Sequence, residues 1–259
     1  MLKDSRQDII ITILEERGVV DITSLARALD VTPITIRRDL NELENSGLVE
    51  RLHGGARLKR TDKMVELPYD LRTIRNKPEK EAIARAAVSL ISENMNVVID
   101  SGTTTNMMSE FLDREMPVTI ITNSIRLANE LMLKPPVRVI NVGGEIRKET
   151  YACSDDLAQS FISSLRADIA FLGVTAVDLS GTAFNISIVE LGIKSAMLTI
   201  ARKTYILADS SKIGKTALVR FADIADAGIT LITDDGISPG SLLKLRDYNV
   251  DVIVAERLK

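Results

Sequence analysis

The sequence has almost no cysteine, histidine or aromatic residue. Cys153 is the single cysteine among 259 residues, which excludes an internal disulfide framework and a cysteine-rich zinc site. His53 is the single histidine, so a His-based metal centre or a Ser-His-Asp triad has no basis. Tryptophan is absent and aromatics make up 3% of the chain, so packing falls to Leu, Ile, Val and Ala. No run of about 18 apolar residues occurs, and no membrane span is expected. The N-terminal MLKDSRQD carries neither a signal-peptide nor a transit-peptide pattern. No GxGxxG is present, which disfavours nicotinamide binding of the Rossmann type. Internal repeats and low-complexity tracts are also missing. The expectation is a cytoplasmic protein with no metal and no cofactor.

What is present is apolar and evenly charged. Hydrophobic residues reach 45% and charged ones 27%, enough to fill a real core, and the length allows two ordinary domains. The net charge of −3 does not by itself suggest nucleic acid. Residues 1–60 carry ten Lys/Arg against ten Asp/Glu, but the charge is uneven. Arg51, Arg57, Lys59 and Arg60 follow one another with no acid between, and Arg37-Arg38 sit together upstream. Such a local basic footprint suits DNA and equally suits ordinary solvated surface.

Residues 5–46 read as three short helices. Ile9, Ile10, Ile13 and Leu14 recur at helical spacing in the first, which Gly18 ends. The second, about 23–29, puts Leu25, Ala26 and Leu29 on one side. Thr32 is a good N-cap for the third, Pro33 suits its first position, and Gly47 supplies the stop. Only Asp30-Val31 joins helices two and three, which is helix-turn-helix spacing. Two extended pieces, 48–52 and 56–58, then flank the turn His53-Gly54-Gly55. Three helices plus a hairpin describe a winged helix.

With Ile36, Leu40 and Leu43 facing inward, Ile34, Arg38 and Asn41 point outward on the third helix, flanked by Thr35 and Arg37. That is the division a reading helix needs, since Arg can bind guanine in a bidentate manner and a small apolar group can touch a thymine methyl. The candidate DNA-contacting set is Thr32, Ile34, Thr35, Arg37, Arg38 and Asn41, joined by Arg51, His53 and Arg57 of the hairpin. A plain amphipathic helix with a solvated face is the competing reading.

Residues 59–78 look like a linker, with prolines at 68 and 78 and weak periodicity. The expected division is a winged helix over 1–58, this linker, and an α/β domain over 79–259. Apolar runs suited to buried strands lie at 97–99, 118–121, 137–142, 169–174, 205–208, 229–232 and 252–255. Helical patterns fill the gaps at about 79–92, 105–115, 124–133, 156–165, 188–202 and 240–247. Alternation of this kind implies a doubly wound, mostly parallel, Rossmann-like sheet.

Asp100-Ser101-Gly102-Thr103-Thr104-Thr105 lies between the first such run and a helix. Gly102 admits a close ligand, and the three threonines offer hydroxyls beside helix N–H groups, an arrangement suited to an anion. Polar clusters after other runs are Thr122-Asn123, Gly143-Gly144, Asp178 and Asp209-Ser210-Ser211-Lys212; on a parallel sheet they share one rim. Lys212 beside the threonines would neutralise a phosphate. Glu190 and Lys194, four apart, form either an i,i+4 ion pair or a ligand-facing pair. Cys153, lacking a histidine partner, is read as a packing residue.

The stretch VTPITIRRDLNELENSGLVERLHGGA (31–56) resembles the signature of the deoxyribonucleoside-operon repressor (DeoR) family of bacterial regulators. The resemblance continues through ELPYDLR (66–72), DSGTTT (100–105), TNS (122–124), VGG (142–144), FLG (171–173) and ADSSK (208–212). It implies a winged helix on operator DNA and an effector domain similar in fold to ribose-5-phosphate isomerase, responding to a phosphorylated sugar. In those isomerases acidic residues and a lysine of this region move protons. Family members often carry Gly-Pro where Asp155-Asp156 stand and a glycine where Ala176 stands, so this chain adds charge and bulk there. The expected function is a repressor of a sugar-metabolism operon, acting as a homo-oligomer (dimer or tetramer), with operator DNA and a small effector as partners. An isomerase-like enzyme with an accessory DNA-binding module, and an α/β domain serving assembly alone, are the competing classes.

Overall fold

The computed structural model describes residues 3–45, 49–58, 69–113, 115–134, 136–225 and 227–257. Gly47, Lys59, Arg60 and the first half of the expected linker lie outside them. The chain divides into two compact units, Met1–Arg75 and Asn76–Lys259.

In the N-terminal unit, α1 (Lys3–Arg17), β1 (Val19–Asp21), α2 (Ile22–Ala28), α3 (Pro33–Asn45), β2 (Val49–Leu52) and β3 (Gly55–Leu58) precede α4 (Tyr69–Ile74). The three strands form an antiparallel sheet in the order β1-β3-β2. Ile10, Leu14, Leu25, Ile36, Leu40, Leu43, Val49 and Ala56 close its core. Asp21 caps α2, accepting from the Ser24 amide at 2.8 Å. The wing turns at Gly54, whose φ of +85° suits glycine. A Cβ on Gly55 would come 2.6 Å from the Val20 carbonyl oxygen, so only glycine lets β3 lie against β1. The third strand, β1, and the helix α4 inside the expected linker are additions to the sequence expectation.

The C-terminal unit runs α5 (Lys77–Val88), β4 (Asn96–Ile99), α6 (Thr103–Asn106), α7 (Met108–Phe111), β5 (Val118–Thr122), α8 (Ile125–Leu131) and β6 (Val137–Asn141). It continues through β7 (Ile146–Arg147), β8 (Ala152–Cys153), α9 (Asp156–Ser163), β9 (Ala167–Gly173), β10 (Ala176–Val177), β11 (Thr182–Asn185) and, after a 3₁₀ turn at Ile188–Glu190, α10 (Leu191–Ile200). The chain ends with β12 (Ala201–Leu207), a 3₁₀ turn at Ser210–Lys212, β13 (Val219–Asp223), β14 (Thr230–Asp234), α11 (Pro239–Asp247) and β15 (Asp251–Ala255).

Seven strands form one parallel sheet in the order β15-β14-β12-β9-β4-β5-β6. They are the seven apolar runs of the sequence. One core, around Ile83, Val97, Ile120 and Phe171, and two others, around Leu172 and Met197 and around Ile206 and Leu231, hold the helices to it. Strand order reverses between β4 and β9, the two neighbours whose following segments run off in opposite directions. In open α/β sheets that switch point opens the crevice where ligands bind. Two small antiparallel pieces, β10-β11-β13 and β7-β8, are additions to the expected fold.

Candidate functional site

The first candidate surface is the outer face of α3. Thr32 caps it, its Oγ1 accepting from the Thr35 amide at 3.3 Å and lying 3.0 Å from the Thr35 hydroxyl. Ile34 is 74% exposed and the Arg38 side chain 80%, beside exposed Arg37 and Asn41. A large apolar residue this exposed beside two arginines is what a groove-reading helix presents. Asn41 accepts a hydrogen bond from Arg51 of β2, which ties the hairpin to α3. Arg57 is opposite Glu50 and pairs with it at 2.8 Å, while His53 is exposed at the wing tip. The inner face holds a group the sequence reading passed over. Asp39, 1% exposed, accepts from Arg6 of α1 at 2.5 and 2.9 Å.

The second candidate lies at the switch point. Asp100, 2% exposed, follows β4 and bridges to β9: its amide donates to the Phe171 carbonyl at 3.0 Å and its Oδ2 accepts from the Gly173 amide at 3.1 Å. Lys194 of α10 pairs with the same Oδ2 and donates to the Gly173 carbonyl at 2.7 Å. A Cβ on Gly102 would lie 3.0 Å from Thr105 Oγ1 and 3.6 Å from the Gly173 Cα, so the two loops touch backbone to backbone.

The helix expected over 105–115 is broken into α6 and α7, each a single turn. Thr105 is turned inward: its hydroxyl accepts from the Gly102 amide at 2.8 Å and reaches the Asp100 carbonyl at 2.5 Å. That removes it from the expected anion site. Thr103 and Thr104 are also buried, and the Thr104 hydroxyl has no partner.

Glu190 and Lys194 do not pair with each other. Glu190 meets Arg147 at 2.9 Å and accepts from Asn185, whose Oδ1 in turn lies 3.2 Å from the Thr175 hydroxyl. Arg147 also reaches the Ser187 hydroxyl at 3.3 Å. Arg147 was invisible as a site residue because its partner is 43 positions away. Asp178 closes a local turn, its Oδ1 accepting from the Ser180 and Thr182 amides at 2.9 Å. This differs from the expected ligand-facing role, and the Asp-Leu-Ser-Gly sequence is a turn signal in its own right.

Gly143 and Gly144, at φ of +70° and +107°, turn the chain after β6 toward the β7–β8 hairpin. A Cβ on Gly144 would lie 2.2 Å from Asp155 Oδ1. Asp155 caps α9 through the Ala158 amide at 3.1 Å and accepts from the Glu145 amide at 3.0 Å. These two backbone N–H groups hold its carboxyl below the usual carboxylate range. The charge added at this position therefore serves the helix cap. Asp155→Ala should cost about 1 kcal/mol at neutral pH. A depressed carboxylate stabilises above the ordinary range and loses that contribution as pH falls through its folded value. The difference between variant and wild type should accordingly shrink below about pH 4, which urea unfolding at two pH values checks. Ala176 is buried in β10, and Cys153 is fully buried, its thiol pushed up by burial and by Asp155.

Lys212 lies by the switch point, donating to the Val174 carbonyl at 2.8 Å and standing 3.9 Å from Asp209. Burial alone would raise the Asp209 carboxyl. Lys212, the Ser211 hydroxyl, Lys80 and Asn76 outweigh it and hold the group low. Asn76 donates to Asp209 at 3.0 Å from a left-handed backbone conformation. Among the described residues no helix is long and apolar enough to cross a membrane, and no three His, Cys, Asp or Glu side chains converge as metal ligands.

Residues 6–62 match the DeoR-like helix-turn-helix domain and residues 75–235 the DeoR C terminal sensor domain. The chain is 32% identical over 253 residues to the glycerol-3-phosphate regulon repressor of Escherichia coli, covering 97% of this chain and 99% of that one. It is 31% identical to the E. coli transcriptional repressor CsqR, covering 97% and 95%. It is also 31% identical to the regulator GolR of Listeria innocua, covering 99% and 100%. Ribose 5-phosphate isomerase A of Methanocaldococcus jannaschii superposes with a TM-score of 0.40 at 19% identity, over 53% of this chain and 55% of that one. That likeness is too slight to carry an argument.

Proposed function

This chain belongs to the DeoR family of DNA-binding transcriptional regulators, and from that membership we propose that it represses a sugar-related operon and is released from its operator by a sugar-derived metabolite bound at the switch-point crevice. The observation that carries the DNA half is the exposed row Ile34, Arg37 and Arg38 on a helix capped by Thr32 and anchored from behind. Asn41 and Arg51 set the angle between that row and the wing, and Arg57 and His53 meet phosphate. Two copies reading paired half-sites, as a dimer or tetramer, match the small footprint of one winged helix.

The effector half is supported by Asp100, which Lys194 clamps to the end of β9, and by Gly102, whose backbone approaches Gly173 at the point where β4 and β9 part. Gly143 and Gly144 lead into the β7–β8 hairpin. Lys212 at the rim is suited to an anionic group such as a phosphate. Relatives named as regulators across their full length favour regulation over turnover in this unit.

Arg38→Ala should weaken operator binding by about 1–3 kcal/mol and relax sequence preference at one position, as expected for an arginine reading guanine. Arg57→Ala should weaken all sequences alike and flatten the salt slope by about one unit or less, because Glu50 already compensates part of its charge. Gel-shift titrations over a salt series separate the two. Unchanged operator affinity in an Arg37→Ala/Arg38→Ala variant would overturn the assignment of α3 as the reading helix.

A further inference from the structure

The helices α9 and α10 lie side by side on one face of the seven-stranded sheet and share a core of Ala158, Ile162, Ile193, Ala196, Met197 and Ile200. Gly192 is where they touch: a Cβ there would come 2.2 Å from Gln159 Oε1. At about 100° per residue, a Gln159 facing α10 puts Leu157 and Phe161 on the far flank of α9. Ser160, Ser163 and Ser164 fill the outward strip between. On α10, Ser195 and Thr199 continue the stripe of Gly192, with Ile188 and Val189 at its head. Leu157 is 72%, Phe161 43%, Ile188 69% and Val189 52% exposed, and the four serines and Thr199 are exposed as well. The outward surface is a floor of small residues between two apolar margins.

That surface carries no exposed charge. In a chain with 27% charged residues, 157–165 and 186–201 contain only Glu190 and Lys194, both buried and paired, with Arg147 and Asp100. Asp156 and Arg166 stand only at the two ends of α9. Three of the hydroxyls are turned back onto their own helices. Ser163 donates to the Gln159 carbonyl at 2.7 Å, Ser164 to the Phe161 carbonyl at 2.7 Å and Thr199 to the Ser195 carbonyl at 2.9 Å. A face without charge and with few unmet hydroxyls loses little when water leaves it. The four large side chains together expose roughly 400–500 Å², at ~200 Å² for a whole one. A standard interface buries about 800 Å² on each partner, a little over half of it apolar, so the area suffices for a stable contact. Nucleic acid is a poor occupant, since it finds no cation on this surface. A second copy fits. Around a two-fold axis a patch meets itself, so a charge near the axis would face its own like, whereas a neutral patch is self-complementary. We propose that the α9–α10 face is the surface through which two copies of this chain associate, its small-residue floor letting the helices of the two copies approach closely. This assigns the contact behind the paired half-site reading and rests on that reading.

Sedimentation equilibrium of the full-length protein is the test. Wild type should be an even-numbered assembly at tens of micromolar. Phe161→Glu and Ser195→Lys, each at a position exposed in the single chain, should keep the wild-type circular dichroism. Each should weaken association roughly hundredfold or more, since like charges then meet across the axis. Leu133→Glu, at an exposed apolar residue after α8, is the control and should leave the assembly intact. On the duplex that wild type selects from random sequence, Phe161→Glu should lose the gain from a second half-site and keep its affinity for one. A monomeric wild type would overturn both the proposal and the paired half-site reading. An assembly that survives in both Phe161→Glu and Ser195→Lys, or that Leu133→Glu disrupts as strongly, would overturn the α9–α10 face and leave the paired reading standing.

Discussion

Lys194→Met should cost the sensor unit about 3–5 kcal/mol and abolish its response to effector. The substitution leaves Asp100, 2% exposed, as a buried carboxylate with only the Gly173 amide beside it. Coulomb attraction to Lys194 is what offsets the cost of taking that carboxylate out of water. The Gly173 carbonyl also loses its donor. Adding Asp100→Asn should restore most of the stability, since a neutral amide no longer needs a cation, while the response stays lost because both strand ends have lost their shared clamp. Urea unfolding of the two single variants and the double variant gives the coupling between the residues. A loss below about 1 kcal/mol in Lys194→Met, the range of an exposed ion pair, would contradict the buried geometry.

Asp39→Ala should have a comparable effect on the N-terminal unit, about 3–5 kcal/mol, by stranding Arg6 behind the reading helix. Arg6 Nε and Nη2 form a two-point clamp on Asp39, and the Arg6 side chain is 12% exposed. Operator affinity should fall with stability even though Asp39, 1% exposed, faces away from any DNA. Calorimetry should resolve a lowered first transition with the second unmoved, since the two units have separate cores. The apolar pair Arg6→Met/Asp39→Leu should recover the melt and the DNA binding together. Recovery of the melt without binding would mean that Arg6 or Asp39 acts on DNA directly.

The parts of this protein that could be read from its sequence share a physical cause. The central strands β4, β5 and β9 are buried almost throughout, so they read as largely apolar runs. The edge strands β6 and β15, though partly exposed, keep enough Val and Ile to show as strands. The caps were equally legible, because Thr32-Pro33 stop and start a helix by local chemistry. The strands β1, β7, β8 and β10 were not, being two or three residues long with no period to detect. Among the buried polar residues of the C-terminal unit, Asp100, Asn123, Glu190 and Lys194 could be singled out from the sequence. Their partners could not. Arg6 meets Asp39 across 33 positions and Lys194 meets Asp100 across 94, and nothing local in either stretch announces the pairing. The polar character of Asp178 was visible, but its local turn was the stronger signal.

The anchoring of Asn76 bears on how the protein can be cut and rejoined. Its side chain reaches Asp209 and the Ser211 hydroxyl at 3.0 and 3.1 Å, and its carbonyl accepts from the Lys80 amide at 3.0 Å to begin α5. Every one of those bonds is made within the C-terminal unit. A sensor fragment begun at residue 79, where the helical periodicity first becomes visible, would discard the residue that fastens the entrance of α5 to the sheet. It would also leave Asp209 with one donor fewer. A graft that keeps Asn76 and changes partners at Arg75 carries the sensor's own doorpost with it, so exchange of DNA-binding modules belongs one residue before the left-handed asparagine.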